Sequence, residues 1–155
     1  IGTETTITSK AYNTAFSKYP NYEIYSIACP LFVPIVEEGW ENTDIAYQIA
    51  VKYLTEFKNI KLDIMILACT HYPMLLNTLQ SVFSTLGHKN LCFIDSGQAI
   101  ANHINHPLLS VDITKPDNLI TQFDQFYVTD TPNQFNKLAN KFLGTQIPSI
   151  KLISL

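Results

Sequence analysis

The chain has 155 residues, of which 46% are apolar and 15% are charged, and its formal net charge is −3. This length and apolar content predict one ordinary domain, or parts of two smaller ones, with a sizeable buried core. The slightly acidic balance argues against nucleic acid or an anionic membrane surface as a partner. No apolar run approaches the roughly 20 residues of a membrane-spanning helix, and no secretory signal is recognisable.

The first part of the chain predicts two helices separated by a strand and a loop. Helical spacing of apolar residues predicts a helix over 5–18, and β-branched and aromatic residues predict a strand over 22–28. Prolines predict a loop over 30–40. A second helix over 42–58, capped by Asn42 or Thr43, follows that loop. The predicted apolar face of this second helix consists of Ile45, Ile49, Tyr53 and Phe57.

The middle of the chain continues this alternation. An apolar strand over 63–68, of the kind that is buried in parallel sheets, leads into a helix over 73–86 that Gly87 ends. Another buried strand is predicted over 91–94. A turn at 95–97 then opens a short helix over 98–104.

The last part has weaker signals over 106–118 and then resumes the pattern. A strand over 126–130 precedes a helix over 133–143, which Thr131 and Pro132 cap and Gly144 ends. A terminal strand is predicted over 150–153. Strands that alternate with helices predict an α/β fold with a mainly parallel sheet.

Cys69 follows the predicted strand 63–68 and directly precedes Thr70 and His71. Parallel α/β sheets bind ligands beyond the carboxyl ends of their strands, and the start of a following helix favours a thiolate. Cys69 is therefore a candidate reactive thiol, with His71 as a nearby acid and Thr70 as an anion-binding hydroxyl. The alternative is a buried structural cysteine followed by a threonine that caps the helix. Position alone leaves both interpretations open.

Two further groups also have a functional and a structural interpretation. Glu37 and Glu38 follow an apolar stretch. They can act as an acid or base or orient a histidine, or they can be solvated carboxylates before a helix. Thr3 and Thr6 lie near a predicted helix start, where their hydroxyls can bind a carboxylate, although capping alone explains them.

The remaining cysteines favour structural roles. Cys29 and Cys92 are interpreted as packed thiols, and three widely spaced cysteines predict no disulfide framework and a reduced, cytoplasmic setting. Cys69 and His71 form a C-x-H pair without a second ligand pair nearby, so no metal site is predicted. Asp95 is interpreted as a capping residue. The ten basic residues are all lysines, so no guanidinium fork can hold a carboxylate substrate.

Five segments resemble, in family order, segments of the glutamate racemase family within the wider aspartate/glutamate racemase superfamily. They lie at 1–12, 28–39, 68–73, 93–97 and 126–130. The runs Cys-Thr-His-Tyr-Pro at 69–73 and Cys-Pro-Leu-Phe-Val-Pro at 29–34 are the most specific. Thr3 and Thr6 lie in the first segment and are candidate substrate-binding residues.

The resemblance implies a cofactor-independent enzyme that interconverts L- and D-glutamate and supplies D-glutamate for the bacterial peptidoglycan cell wall. In the family one cysteine thiolate removes the substrate α-proton, and a second cysteine thiol delivers a proton to the opposite face. By match, Cys69 is the second of these cysteines, and His71 assists it. Thr70 and His71 line the substrate. Glu37 supports the histidine, with Glu38 as its alternative.

The chain departs from the family in one large respect. The family's other cysteine lies in an upstream cysteine–asparagine–threonine motif, and its aspartate–serine substrate motif lies near the start; this chain has neither. The resemblance therefore implies a C-terminal portion, with residues 1–92 as the second racemase α/β domain. Residues 93–155 would return to a first domain whose N-terminal part is absent. Such a chain is expected to be inactive alone and to need the missing half, with a homodimer as one option.

Two other functions stay open at this point. One is racemisation of aspartate or another small amino acid within the same superfamily. The other is a non-catalytic α/β domain in which Cys69 is a redox-sensitive site or is simply buried.

Overall fold

A computed structural model describes residues 1–104 and 125–154 of the chain. Its contacts divide the chain into two units, Ile1–His106 and Pro107–Leu155. The first unit thus extends past residue 92, where the sequence placed the domain boundary. The pairing of the strand at 92–95 with the strand before it explains why residues 93–104 belong to the first unit.

The first unit is built on parallel extended segments. Strand β1 (Ile64–Leu67) pairs in parallel with β2 (Cys92–Asp95). Gly2 forms parallel bridges to both Ala68 and Ala28, so residues 1–2 lie between residues 27–29 and β1. Parallel neighbours place the carboxyl ends of all these segments at one edge of the sheet.

The predicted strand over 22–28 is wrong apart from its last residue. Only Ala28 forms a bridge, flanked by bonds from Gly2 N–H to the Ile27 carbonyl and from Cys29 N–H to the Gly2 carbonyl. The residues before Ala28 form no strand. The Tyr22 ring instead packs edge-on against Phe16, with centroids 5.8 Å apart.

Gly2 is required at the centre of this sheet. A Cβ atom there would lie 3.2 Å from Thr6 Cγ2 and 3.3 Å from Ile7 Cδ1, which is tighter than ordinary van der Waals contact. The first helix therefore lies directly against the backbone of residues 1–2.

The early helices differ from the prediction. Two short helices, α1 (Glu4–Thr8) and α2 (Ala11–Phe16), replace the single helix over 5–18, because Lys10 adopts a left-handed conformation with φ of 54°. A helix, α3 (Phe32–Glu37), replaces the loop over 30–40. Pro34 does not prevent it, because a proline in the first turn removes no intrahelical hydrogen bond.

The other three helices of this unit are confirmed. They are α4 (Asp44–Leu54), which a 3-10 turn continues over Thr55–Phe57, α5 (Leu76–Thr85), which a 3-10 turn precedes over Tyr72–Leu75, and α6 (Ser96–Ile104). The predicted apolar face of the helix over 42–58 is confirmed for Phe57, which is buried, but its centre lies one position further along. Ala46, Ala50 and Leu54 are buried, whereas Ile45 is 51% exposed. The two alanines place little side-chain bulk between α4 and its neighbour α5.

Buried side chains join α3, α4 and α5 to one face of the sheet. This cluster includes Cys29, Phe32, Ile35, Val36, Ala46, Ala50, Leu54, Phe57, Met65, Leu67, Tyr72, Leu75, Leu79, Val82 and Phe83. Ile64 and Ile94 point away from it and are exposed, so the prediction of fully buried strands is wrong. On that second face, Ile64 and Ile66 line an apolar cavity of about 100 Å³ together with Ile7 and Phe16 of the first two helices. The unit therefore has helices on both faces of a parallel sheet.

The second unit repeats the strand–helix–strand pattern. Strand β3 (Phe126–Val128) pairs in parallel with β4 (Ile150–Leu152), and α7 (Pro132–Leu143) connects them. These elements confirm the predictions for residues 126–153. Thr131 and Pro132 occupy the predicted cap and first helical positions, although the Thr131 side chain makes no capping hydrogen bond. The weak segment 106–118 lies outside the described residues.

Parallel strands that alternate with helices confirm the predicted α/β class. Within the described ranges, no helix combines the length and hydropathy that a bilayer crossing requires.

Candidate active site

The carboxyl edge of the sheet in the first unit carries the candidate site. Because Gly2 bridges both Ala28 and Ala68, the residues that follow them occupy equivalent places on neighbouring segments. These residues are Thr3, Cys29 and Cys69. Neighbouring strands are about 4.8 Å apart, and ligands of parallel sheets bind at this edge.

Cys69 and His71 form one side of a tight turn. Cys69 Sγ lies 3.9 Å from His71 Nδ1, and the thiol is only partly buried. The backbone closes the turn, because Tyr72 N–H donates to the Cys69 carbonyl at 3.2 Å and Met74 N–H donates to the His71 carbonyl at 3.1 Å. The turn therefore holds the thiol and the imidazole together without help from distant residues.

Glu37 lies on the other side of the imidazole. Its Oε1 is 3.4 Å from His71 Nε2, and the two side chains are 33% and 23% exposed. Glu37 is the last residue of α3, so the helix that the sequence did not predict brings this carboxylate to the histidine. Glu38 is exposed and caps the end of the same helix.

The alignment of Glu37, His71 and Cys69 defines what the site can do chemically. A carboxylate next to Nε2 favours a proton on that nitrogen, which leaves Nδ1 facing the sulfur. Nδ1 can then accept a proton from the thiol, and the resulting imidazolium stabilises the thiolate. The arrangement can thus support Cys69 both as a base and as an acid.

The start of the following helix stabilises a Cys69 thiolate less than the sequence predicted. A 3-10 turn follows His71, and the α-helix begins only at Leu76, so its dipole is remote from Cys69. His71 occupies the cap position of the 3-10 turn and no side chain caps it, so Thr70 does not have the capping role of the structural alternative. Thr70 is exposed beside the thiol and the imidazole.

Thr3 and Thr6 form a hydroxyl pair at the same edge. Thr3 Oγ1 lies 2.9 Å from Thr6 Oγ1 and accepts a hydrogen bond from Thr6 N–H at 3.3 Å, so Thr3 caps α1. Both residues are partly buried. Capping is therefore observed, and binding of a substrate by these hydroxyls stays a prediction.

The other two cysteines have opposite environments. Cys29 is fully buried, as predicted, and burial raises the pKa of its thiol to about 12, so it remains protonated at neutral pH. Cys92 is exposed, so its interpretation as a packed thiol is wrong. Asp95 Oδ1 accepts a hydrogen bond from Gln98 N–H at 2.8 Å, which is the predicted capping role. Across the described ranges, no three His, Cys, Asp or Glu side chains converge as metal ligands do.

The sequence predicted no role for the hydroxyls of two tyrosines next to the site. The Tyr72 hydroxyl donates to the Cys29 carbonyl at 2.9 Å, and the Tyr53 hydroxyl accepts from Leu31 N–H at 3.3 Å. The ring of Phe32 packs nearly at right angles against both tyrosines. No local pattern signals these contacts, because they join residues more than twenty positions apart.

No protein-family model matches the chain. The glutamate racemase of Syntrophus aciditrophicus is 36% identical over 156 residues, which cover 100% of this chain and 56% of that protein. The crystal structure of the glutamate racemase from Francisella tularensis in complex with D-glutamate is 29% identical, with a TM-score of 0.73 over 96% of this chain and 54% of that one. A glutamate racemase isoform from Bacillus anthracis is 26% identical, with a TM-score of 0.77 over 99% and 56% of the two chains.

These comparisons confirm the resemblance that the motifs predicted. The chain spans about half the length of the curated relatives it matches.

Proposed function

We propose that this chain, which sequence and fold relate to the glutamate racemases, supplies Cys69 as one of the two proton-transfer groups of such an enzyme. The observation that carries the proposal is the alignment of Glu37, His71 and Cys69 at the carboxyl edge of a parallel sheet. This is the edge at which α/β proteins bind small molecules.

The proposed chemistry is proton exchange at the α-carbon of glutamate. As a thiolate, Cys69 takes the α-proton, so that the C–H bond breaks and an S–H bond forms. The second cysteine then gives its proton to the opposite face of the carbanion. In the reverse direction Cys69 is the thiol and delivers the proton. No redox step and no cofactor is part of this exchange.

The neighbouring residues support this exchange in different ways. His71 stabilises the Cys69 thiolate and takes part in binding the substrate, and Glu37 keeps the imidazole oriented. Thr70, Thr3 and Thr6 offer hydroxyls at the same edge for the substrate carboxylates. The glutamate racemase from Francisella tularensis was crystallised with D-glutamate, which supports glutamate as the substrate.

The second proton-transfer group is proposed to lie outside this chain. The chain then corresponds to the C-terminal portion of the enzyme, with the first unit as the second racemase domain. Its last residues return to a first domain, which holds the other cysteine. The complete protein would supply D-glutamate for peptidoglycan in the cytoplasm, either as a single chain or as a homodimer.

The proposal is tested by thiol reactivity in the chain as it stands. With iodoacetamide at about pH 7, Cys69 is expected to react at least about threefold faster than the exposed Cys92, because alkylation follows the thiolate fraction. Peptide mass spectrometry measures both rates in one sample. His71→Asn and Glu37→Gln are expected to slow Cys69 and leave Cys92 unchanged.

The matched control is His88→Asn. His88 is partly buried and its Nε2 contacts the Phe57 carbonyl at 3.1 Å, so its loss removes a histidine contact elsewhere in the first unit. Equal rates at Cys69 and Cys92 in the unmodified chain would reject the proposal and favour a non-catalytic domain.

A further inference from the structure

We propose that Tyr72 is a positioning residue that holds Glu37 against His71, an inference that rests on the function proposed above. It does not touch the reacting atoms. It acts by tying the turn that carries Cys69 and His71 to the helix that carries Glu37.

Tyr72 makes hydrogen bonds to the backbone of both segments, the turn at Cys69 and the segment at Cys29 that leads into α3. Its N–H donates to the Cys69 carbonyl at 3.2 Å, and its hydroxyl donates to the Cys29 carbonyl at 2.9 Å. The side chain is fully buried among core residues. One residue therefore closes the reactive turn with its main chain and reaches the neighbouring segment with its side chain.

The Cys29 carbonyl is also where α3 begins. Phe32 N–H donates to the same carbonyl at 3.1 Å, and the rings of Phe32 and Tyr72 lie 5.3 Å apart at 84°. Tyr72 thus contacts Phe32, the first residue of α3, in two ways. Both residues donate to the Cys29 carbonyl, and their rings pack edge to face. Because α3 is a single short helix, fixing its start also fixes Glu37 at its end.

The hydrogen bond from the Tyr72 hydroxyl to the Cys29 carbonyl persists throughout the physiological pH range. Burial raises the pKa of this phenol, so the hydroxyl stays protonated and remains a donor. The bond also fixes the separation between two segments 43 residues apart. Loss of the hydroxyl would remove the hydrogen bond that joins these two segments, so we expect the 3.4 Å pair of Glu37 and His71 to lengthen.

Tyr53 provides a matched control. Its hydroxyl accepts from Leu31 N–H at 3.3 Å, and its ring packs on Phe32 with centroids 5.4 Å apart. It therefore binds the same loop and the same ring from α4. The backbone bond to the Cys69 turn is made by Tyr72. Tyr53→Phe removes a hydroxyl from the same aromatic cluster and leaves the link to the turn in place.

The test uses Tyr72→Phe in the full chain, which keeps the ring and removes the donor. The ¹⁵N signals of the His71 ring are expected to move in the same direction as in Glu37→Gln. The rate of Cys69 alkylation relative to Cys92 is expected to fall roughly two- to tenfold, the effect of losing one buried hydrogen bond. Tyr53→Phe is expected to leave both quantities near their original values.

A second variant protects the test against a folding defect. 4-Aminophenylalanine at position 72 keeps an N–H donor at the same reach, so the original His71 signals are expected to return. Original signals and rates in a folded Tyr72→Phe, or shifted signals in the aminophenylalanine variant, would overturn the proposal. These outcomes are distinct from failure of the proposed function, which is read from the ratio of Cys69 to Cys92 rates in the unmodified chain.

Discussion

The three cysteines of this chain have the same chemistry and three different environments. Cys29 and Cys69 occupy equivalent places on neighbouring segments of one sheet edge, yet one is fully buried and the other is partly open to solvent. Cys29 faces the apolar cluster beneath α3, where a charged sulfur would lose its hydration. Cys69 faces an imidazole. The local environment therefore distinguishes Cys29, a structural thiol, from Cys69, a candidate reactive thiol.

Burial of Cys29 predicts a loss of stability in alkali. Its pKa rises from an ordinary value of 9.0 to about 12 in the folded chain, so the thiol ionises more readily after unfolding. This contribution to stability is intact below about pH 9 and is lost as the pH rises toward about 12. We expect the free energy of unfolding to fall between about pH 9 and 10, by at most about 1.4 kcal/mol per pH unit. Urea unfolding at a series of pH values measures this slope.

Cys29→Ala should flatten that slope, although the smaller side chain lowers the overall stability. Cys92→Ala is the control, because it also removes a thiol but takes it from an exposed position outside the buried cluster. A slope that Cys29→Ala leaves unchanged would contradict the buried environment of the thiol.

The candidate site was predictable from the sequence only where it is local. Cys69 and His71 are two positions apart, so a strand end followed by a turn was enough to join them. The role of Glu37 depended on the resemblance, because nothing in the local pattern shows that a carboxylate 34 residues earlier meets this imidazole. Tyr72 belongs to the Cys-Thr-His-Tyr-Pro run, but nothing in the sequence predicted a contact of its hydroxyl. Its hydroxyl partner is a carbonyl of the main chain, which every residue carries.

At the scale of elements, prolines and aromatics caused the errors. Two prolines near residues 30–34 favour a loop, but the second lies in the first turn of α3, where helices accept proline. Aromatic content over 22–28 favours a strand, but the Tyr22 ring packs against Phe16 and Tyr19 of the preceding segment. Periodicity found α4 and α5 and not the closely packed face of α4, because alanines carry little hydrophobic signal. The long, periodic elements were the predictable part of the fold.

The cap of α4 is a testable element-scale feature. Thr43 Oγ1 accepts from Ala46 N–H at 3.3 Å and donates to the Trp40 carbonyl at 2.7 Å, so one hydroxyl both starts the helix and closes the loop before it. Thr43→Ala should lower the free energy of unfolding by about 0.5–2 kcal/mol. Urea unfolding of the full chain measures the change.

Thr43→Ser is the matched control, because it keeps the hydroxyl and loses only a methyl group. We expect it to remain within about 0.5 kcal/mol of the original chain. Equal losses for both substitutions would mean that the methyl group, and not the cap, stabilises this helix end.

At the scale of the whole molecule, the site is one-sided as far as the described residues go. Cys69, His71 and Glu37 line up at one sheet edge, and the side chains of Glu37 and His71 remain partly exposed. Inversion at a carbon atom requires proton removal on one face and delivery on the other, and a single thiol serves only one of them. The partial coverage of the relatives agrees with this division, since the chain spans about half of each.

This one-sidedness predicts the behaviour of the isolated chain with glutamate. Incubated with L-glutamate in D₂O, it should neither exchange the α-proton nor form D-glutamate, because the described residues leave Cys69 and His71 partly open to water and the proposed donor for the second face lies outside this chain. Proton NMR follows the α-signal, and a chiral assay follows the enantiomers. A chimera in which this chain replaces the matching half of the Syntrophus aciditrophicus racemase should restore both reactions. Cys69→Ser in the chimera should abolish inversion, and Cys92→Ser should leave it intact. Formation of D-glutamate by the isolated chain would mean that both proton-transfer groups lie within these 155 residues.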